Sequence, residues 1–155
     1  MNATESTPGP HHEALLQLLR TSESIWNASR FFFDQWDLSP SQFNILNVLR
    51  DYPDGTTQIE LSRTLIMHRS NVTGMIDRLE QRRLVARRDN PDDRRAYRIV
   101  LTKDAHQLLG EVLPAYYAAA EAVFSGFSQK RSRELTDELA AIERGVASFT
   151  KTLPR

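Results

Sequence analysis

Apolar residues recur at helical spacing towards both ends of this chain. Between Glu13 and Trp36 they follow at steps of three and four, which predicts a long amphipathic helix with the stripe Leu15, Leu19, Trp26 and Phe33. Another helix is expected after Thr102, which can cap it, with a kink at Pro114. The last pattern has the spacing of a helix-packing seam and consists of Leu135, Leu139, Ile142, Val146 and Phe149. These helices carry more apolar surface than a small domain can cover, so we expect pairing with a second copy; an intramolecular bundle is the alternative.

Two capping boxes mark helix starts in the middle of the chain. Ser39 with Gln42 opens one helix, and Thr57 with Glu60 opens a short helix that fades near Leu65. A further helical pattern begins at about Arg69, and its inward stripe consists of Val72, Ile76 and Leu79. Two short helices with a tight connection predict a helix-turn-helix.

Two short apolar runs then flank a cluster of turn-forming residues. Leu84–Arg88 and Ala96–Leu101 surround an Asn/Pro/Asp segment, which predicts a β-hairpin with Pro91 in its loop. The expected fold class is therefore mainly α with a small β-hairpin wing. We predict a winged helix-turn-helix domain over residues 38–101, a helical dimerisation region over residues 13–37 and 102–151, and a disordered lead-in over residues 1–12.

The distribution of charge changes the picture that net charge alone gives. The chain of 155 residues has 40% apolar residues, enough for one compact unit, and a net charge of zero. From Gln58 to Lys103, however, the chain has eleven Arg or Lys residues and six acidic residues, which gives this segment a net charge of +5. A segment with this positive charge suits a phosphate-bearing partner. The alternative is a solvated arginine-rich surface that binds nothing.

Several classes of function lack the residues that they need. Cysteine is absent, which excludes disulfides and thiolate chemistry, and no Gly-rich phosphate loop or nucleophile elbow is present, so we expect no enzyme and no cofactor. His11 and His12 are adjacent in the lead-in while His68 and His106 are isolated, so we expect no metal site. The polar start and the lack of a membrane-length apolar run predict a cytoplasmic protein without membrane contact.

The order of these elements, together with specific residues, resembles the MarR family of bacterial transcriptional regulators. The resemblance extends over Glu13 to Phe149 and is carried by Thr57–Leu65, Arg69–Glu80, Leu84–Arg88, the loop Asn-Pro-Asp-Asp-Arg-Arg-Ala at residues 90–96, and Leu101–Thr102. It implies a repressor that binds a pseudo-palindromic operator on double-stranded DNA as a homodimer. The chain departs from the family pattern at Ile66, Gly74, Arg83 and Asn90.

The helix that begins at Arg69 supplies most candidate DNA contacts. If Val72, Ile76 and Leu79 face the core, the opposite side presents Arg69, Ser70, Thr73, Gly74 and Asp77, with Asn71 also near base edges. Capping of the helix start is the alternative role of Ser70 and Asn71. Arg83 takes the place of a helix-ending glycine, so a left-handed non-glycine residue or another termination is needed. Gly74 either permits close approach of DNA or contacts no base.

The hairpin supplies the remaining candidates. Arg94 and Arg95 follow the proline turn, where cationic side chains can enter the minor groove, and the resemblance implies the same role. We expect one of the two to brace the wing against Asp89, Asp92 or Asp93 while the other contacts DNA. Arg87, with Arg88 and Arg98, is expected to contact phosphates or to be solvated.

The resemblance further implies a small aromatic or phenolic effector. Its predicted pocket is lined by Trp26, Phe33, Phe43, Met67 and His68, with Arg69 beside them. Plain core packing is the alternative for these aromatic residues. For the whole chain, the alternative function is a helical protein-interaction module whose basic hairpin has no DNA specificity.

Overall fold

The computed structural model describes residues 8–65, 69–93 and 95–154, and only the backbone of Arg69. Contacts divide the chain into two compact units at the bond between Gly110 and Glu111. In chain order the elements are α1 (Pro10–Asp34), α2 (Pro40–Leu49), β1 (Thr56–Thr57), α3 (Gln58–Thr64), α4 (Arg69–Gln81), β2 (Val85–Asp89), β3 (Tyr97–Leu101), α5 (Lys103–Val123) and α6 (Gln129–Thr150). This is the mainly α fold with a small β wing that the sequence predicts.

Both predicted capping boxes are present. The Ser39 hydroxyl accepts from the Gln42 backbone N–H at 3.2 Å, and the Gln42 side chain accepts from the Ser39 N–H at 2.9 Å. At α3 the Thr57 hydroxyl and the Glu60 carboxylate make the same reciprocal pair. Each box satisfies backbone N–H groups that a helix start leaves without partners, so these two boundaries are determined locally.

The sheet has one strand more than the sequence predicts. β2 and β3 form the expected antiparallel hairpin, and β1 adds to the other edge of β3, giving the order β1-β3-β2. The pairing of β1 places Thr56 opposite Ile99 and Thr57 opposite Arg98. A strand of two residues shows no alternation of apolar and polar positions, which is why the pattern did not reveal it.

The predicted inward stripe of α4 lies in the core of the first unit. Val72, Ile76 and Leu79 are fully buried, and α4 contacts α2, α3 and β2. The helix is followed by Arg83, whose φ of 58° is left-handed. Of the two expected terminations, this is the left-handed non-glycine residue.

Helix α1 begins earlier than the sequence predicts. It starts at Pro10 behind Gly9, with proline at a position that suits its fixed φ and missing N–H. His11 and His12, expected in a disordered lead-in, therefore lie in the first turn of a helix. Residues 1–7 of that segment lie outside the described residues.

Helix α5 begins where its cap was expected. The Thr102 hydroxyl accepts from the Ala105 N–H at 3.2 Å and donates to the Arg83 carbonyl at 2.6 Å. Pro114 lies inside this helix, which continues to Val123. None of the helices in the described residues is long and apolar enough to cross a bilayer.

The second unit contains the end of α5 and all of α6. Ser128 caps α6 by accepting from the Arg131 N–H at 3.3 Å. No residue of α6 is buried in the single chain, and its seam residues include Leu139, Ile142, Val146 and Phe149, the last of which is 63% exposed. The apolar face that the sequence predicts is therefore present and uncovered in the single chain.

Candidate nucleic-acid interface

The side of α4 opposite its buried stripe is exposed along its length. Ser70, Gly74, Asp77 and Gln81 follow at steps of four, three and four, which places them on one helix face. Beside this face lies an open depression of about 410 Å³, lined by Ser41, Ser70, Asn71, Gly74, Met75 and Arg78. The side chain of Arg69 lies outside the described residues. The surface is thus polar and able to approach a partner along several turns.

Gly74 leaves the middle of this face bare. A Cβ built on Gly74 would meet no heavy atom within 4 Å, and the residue has no left-handed φ. Nothing within the described chain therefore requires glycine at this position, although glycine in a helix interior costs about 1 kcal/mol relative to alanine.

Thr73 lies at the edge of the face nearest to α3. It is half-buried, and its hydroxyl donates to the Gln58 side-chain oxygen at 3.2 Å. Gln58 did not emerge from the sequence as a functional residue. Its position immediately after the Thr57 cap is the signal that could have placed it at the junction of the two helices.

Asp77 and Arg87, both predicted to contact DNA, contact each other. The Arg87 guanidinium on β2 donates to the Asp77 carboxylate at 2.5 Å and also to the Glu80 carboxylate. The hydrogen bond that Arg87 donates to Asp77 is the main reason why the pKa of Arg87 is raised, so the guanidinium stays charged. Two carboxylates from α4 thereby fix an arginine of the wing, and this arginine is less available to phosphates than the sequence suggests.

Arg98, which lies outside the predicted pair, braces the loop of the wing. Arg98 donates to the Asp92 carboxylate at 2.8 Å and to the side-chain oxygen of Asn90 at 3.2 Å. Asn90 is buried, and its side-chain oxygen also accepts from the Asp92 N–H. Arg95 makes no such side-chain contact with a described residue, and Arg94 lies outside the described residues, so the expectation that one of the two braces the wing stays a prediction.

Arg95 is an exposed cationic residue of the wing. Its backbone N–H donates to the Asp93 carboxylate at 2.9 Å, and within the described ranges its guanidinium has no hydrogen bond or ion pair. Arg94 lies outside the described residues. Arg95 lines one side of a cleft of about 250 Å³, together with Thr57, Gln58, Ile59, Thr73, Arg87, Ala96 and Tyr97. The cleft separates the wing from the start of α3 and has cationic groups in its lining.

Glu60 is held as an anion at the start of α3. The Thr57 N–H and the hydroxyls of Thr56 and Thr57 donate to its carboxylate, at 2.9, 2.7 and 2.9 Å. These hydrogen bonds, led by the backbone donor, lower its pKa to about 2. The junction between β1 and α3 is therefore fixed at neutral pH.

A long-range clamp joins the end of α1 to the end of α4. The Arg82 guanidinium donates to the backbone carbonyls of Trp36 and Asp37 and forms an ion pair with the Asp37 carboxylate at 3.4 Å. Asp37 itself has a left-handed φ of 53°. The partners are 45 residues apart in sequence, so no local pattern predicted them.

The residues predicted to line an effector pocket are only partly brought together. Phe33 and Phe43 are buried and stack with their ring centroids 4.3 Å apart, which their alternative role in the core explains. Trp26 is 43% exposed on α1, and Met67 and His68 lie outside the described residues. Among the side chains that the structure describes, no group of three or more His, Asp or Glu residues could hold a metal ion.

Comparison of the sequence with known proteins finds a family model and a relative that is a transcriptional repressor. A sequence model of the MarR family matches residues 36–96. The transcriptional repressor YetL of Bacillus subtilis is 28% identical over 119 residues, which cover 76% of this chain and 71% of YetL.

Two solved structures share the fold at lower identity. CouR of Rhodococcus jostii RHA1, bound to p-coumaroyl-CoA, is 23% identical with a TM-score of 0.78, covering 88% of this chain and 95% of CouR. The DNA complex of MepR from S. aureus contains a chain 19% identical with a TM-score of 0.75, covering 86% and 97% respectively. The same winged helix-turn-helix architecture therefore exists in a protein bound to DNA.

Proposed function

Because the chain belongs to the MarR family of winged helix-turn-helix transcriptional regulators, and is a DNA-binding regulator rather than an enzyme, we propose that it is a repressor. It binds a pseudo-palindromic operator on double-stranded DNA as a homodimer, and it acts in the cytoplasm because that is where its proposed partner lies. The observation that carries the proposal is the exposed polar face of α4 beside a wing that carries Arg95, whose guanidinium has no ion pair with any described residue.

The two parts of this surface suit the two grooves of a duplex. An α-helix fits the major groove, where Ser70, Asn71 and Thr73 would contact base edges or phosphates and Arg69 would lie at the helix start. An arginine on a protruding hairpin fits the narrower minor groove, where the electrostatic potential is strongly negative, so Arg95 and Arg94 are proposed to enter it. Binding by α4 and by the wing would then determine the orientation of each subunit.

The proposed dimer follows from the uncovered apolar residues. Leu139, Ile142, Val146 and Phe149 remain 40–63% exposed on α6, and on α1 Phe31 is 84% exposed. Burial of such surfaces against a second copy stabilises association, and a two-fold axis would set two α4 helices about one duplex turn apart. The variant Leu139→Asp/Ile142→Asp is expected to be monomeric by light scattering and to lose specific DNA binding. A monomeric variant with full operator affinity would contradict the homodimer.

We also propose that a small aromatic or phenolic effector releases the operator. The support is the ligand-bound CouR structure, which shares this fold, together with the partly exposed Trp26. A thermal-shift screen with aromatic carboxylates tests it: stabilisation coupled to loss of DNA binding supports the effector. Stabilisation without DNA release, or no stabilisation by any compound, counts against it.

The central test is a DNA titration with the promoter region beside the protein's own gene. We expect specific binding that weakens steeply as salt rises and that exceeds binding to random duplex. Arg95→Ala should weaken it at least about tenfold while Arg20→Ala, which changes an exposed arginine of α1, leaves it unchanged. Transcription from the bound promoter should fall when the protein is added.

Two results would overturn the proposal. If neither Arg95→Ala nor Arg94→Ala changes the affinity for DNA, the wing does not contribute to DNA binding. Binding without any preference for sequence would favour a helical protein-interaction module with a basic hairpin.

A further inference from the structure

An acidic side chain follows the bare position at Gly74 on the face of α4 that is proposed to enter the major groove. Asp77 lies on the exposed stripe of α4, one turn after the bare position at Gly74, and its side chain is 49% exposed. A carboxylate at this position faces a polyanion, and phosphates repel it. Such a residue lowers affinity for DNA unless a hydrogen-bond donor of the DNA approaches it.

The contacts of Asp77 neutralise it only in part. Arg87 binds both Asp77 and Glu80, so the three side chains together carry one net negative charge. Arg87 engages the Oδ1 atom of Asp77, and among the described residues no hydrogen bond to Oδ2 is made. The carboxylate is thereby fixed in direction, with one oxygen still able to accept a hydrogen bond from outside the chain.

Base edges in the major groove offer one donor that suits such a carboxylate. The N4 amino group of cytosine projects into this groove, and Asp or Glu accepts from it. We propose that Asp77 is a specificity-determining residue that accepts a hydrogen bond from the N4 amino group of one cytosine in each half-site. Arg87 is its positioning residue. This inference rests on the proposed function, because it assigns a base to a surface that is proposed to bind DNA.

The local shape of α4 supports contact with a base rather than a role in bracing alone. Gly74 has no side chain to keep the helix away from the floor of the groove, so the next residue along the same stripe can reach base edges. Bracing of the wing does not require a carboxylate on the outward stripe, since Glu80, which lies further round the helix, also binds Arg87. Glu80 is therefore the matched control for the effect of losing one ion pair.

The test measures which base pair each variant discriminates. Operators are first selected from a random duplex library with the full-length protein, and every base pair of a half-site is then substituted in turn. The unmodified protein should discriminate against replacement of one C·G pair by about 5- to 150-fold. Asp77→Ala should lose discrimination at that pair and keep it elsewhere, whereas Glu80→Gln should keep it throughout.

A modified base separates the hydrogen bond from other effects. When that cytosine is replaced by a pyrimidin-2-one nucleotide, which lacks the N4 amino group, the unmodified protein should lose affinity by a similar factor. Asp77→Ala should bind the modified and normal operators equally. Arg87→Ala should reduce discrimination at the same pair, because the carboxylate is no longer held in direction.

The outcomes distinguish this inference from the function on which it rests. Specific binding with no pair whose discrimination depends on Asp77 would overturn the inference and leave the proposed function intact. If Asp77→Ala and Glu80→Gln lose the same amount of DNA affinity for every operator sequence, Asp77 acts only in bracing the wing. That result would likewise overturn the inference. Failure of the unmodified protein to select any operator would refute the proposed function itself.

Discussion

Replacing Gly74 by alanine should stabilise this protein and weaken its binding to DNA. A methyl group at this position meets no heavy atom within 4 Å, and glycine in a helix interior is less favourable than alanine by about 0.8–1.0 kcal/mol. The free energy of unfolding should therefore rise by about 1 kcal/mol, which corresponds to an increase in Tm of about 2–4 °C for a chain of this size. A single substitution would thus stabilise the free protein. The presence of glycine at position 74 is therefore explained better by the DNA-bound state than by the free one.

The expected loss of DNA affinity follows from close packing. If α4 lies against the groove at Gly74, an added methyl group must displace the helix, and overpacking of a closely fitted surface costs about 1–3 kcal/mol. Specific affinity should then fall by about tenfold or more, as measured by fluorescence anisotropy at constant salt.

A second helical glycine provides the control for this experiment. Gly110 lies in α5 and is equally open to an added methyl group. Gly110→Ala should thus give the same gain in stability by thermal denaturation and leave DNA affinity unchanged. If Gly74→Ala stabilises the fold with no loss of affinity, DNA does not approach the helix at this position. If Gly74→Ala destabilises the fold, the reasoning from helix propensity is refuted.

Three further changes test the contacts that hold this surface together. Gly55→Ala should lower the free energy of unfolding by about 2–4 kcal/mol, because Gly55 has a φ of 78° and an added Cβ would lie 2.5 Å from a Val100 methyl carbon and 2.7 Å from the Ile99 carbonyl oxygen. Urea denaturation measures this, and an unchanged midpoint would contradict it. Arg82→Ala should cost about 1–2 kcal/mol in the same assay, since two carbonyls lose a charged donor; a silent variant would show that the clamp contributes nothing. The pKa of Glu60 is about 2 when folded, against an ordinary value of 4.5, so its stabilising contribution is present above about pH 4.5 and is lost as the pH falls towards 2. Denaturation of Glu60→Gln between pH 2 and 6 should therefore lack this part of the pH dependence, and an identical profile would refute the assignment.

Sequence alone determined the parts of the fold that depend on near neighbours. The capping boxes at Ser39 and Thr57 and the buried stripe of α4 are local patterns, and each fixes a boundary or a face without help from distant residues. The strand β1 escaped this reasoning because its two residues gain their conformation by pairing with β3, more than 40 residues further along the chain. Long-range pairing leaves no periodic signal in so short a segment.

The candidate site was predicted as a surface but not as a set of contacts. The exposed face of α4 followed directly from helix geometry, whereas the ion pairs of Arg87 and the brace by Arg98 depend on which strand positions lie beside α4 and the loop. Both arginines lie on the strands of a hairpin that also carries Arg88, so their sequence positions favour no particular partner. Hairpin register, which charge patterning does not specify, decides between phosphate contact and internal pairing.

The internal pairing of arginines also changes how the +5 charge of residues 58–103 should act on DNA. Arg87 and Arg98 form ion pairs with acidic side chains of the same segment. Replacing either arginine therefore removes a cation and leaves a carboxylate without its partner. Arg95, by contrast, has no such acid among the described residues. Each phosphate that a cation neutralises contributes about −0.9 to the slope of log affinity against log salt. Arg95→Ala should therefore make the slope of a dimer shallower by about 2, while Arg98→Ala should leave it nearly unchanged even where it weakens binding. Equal changes in slope for both variants would show that the ion pairs open when DNA binds, and the number of phosphate contacts would then follow the total charge of the segment rather than its unpaired arginines.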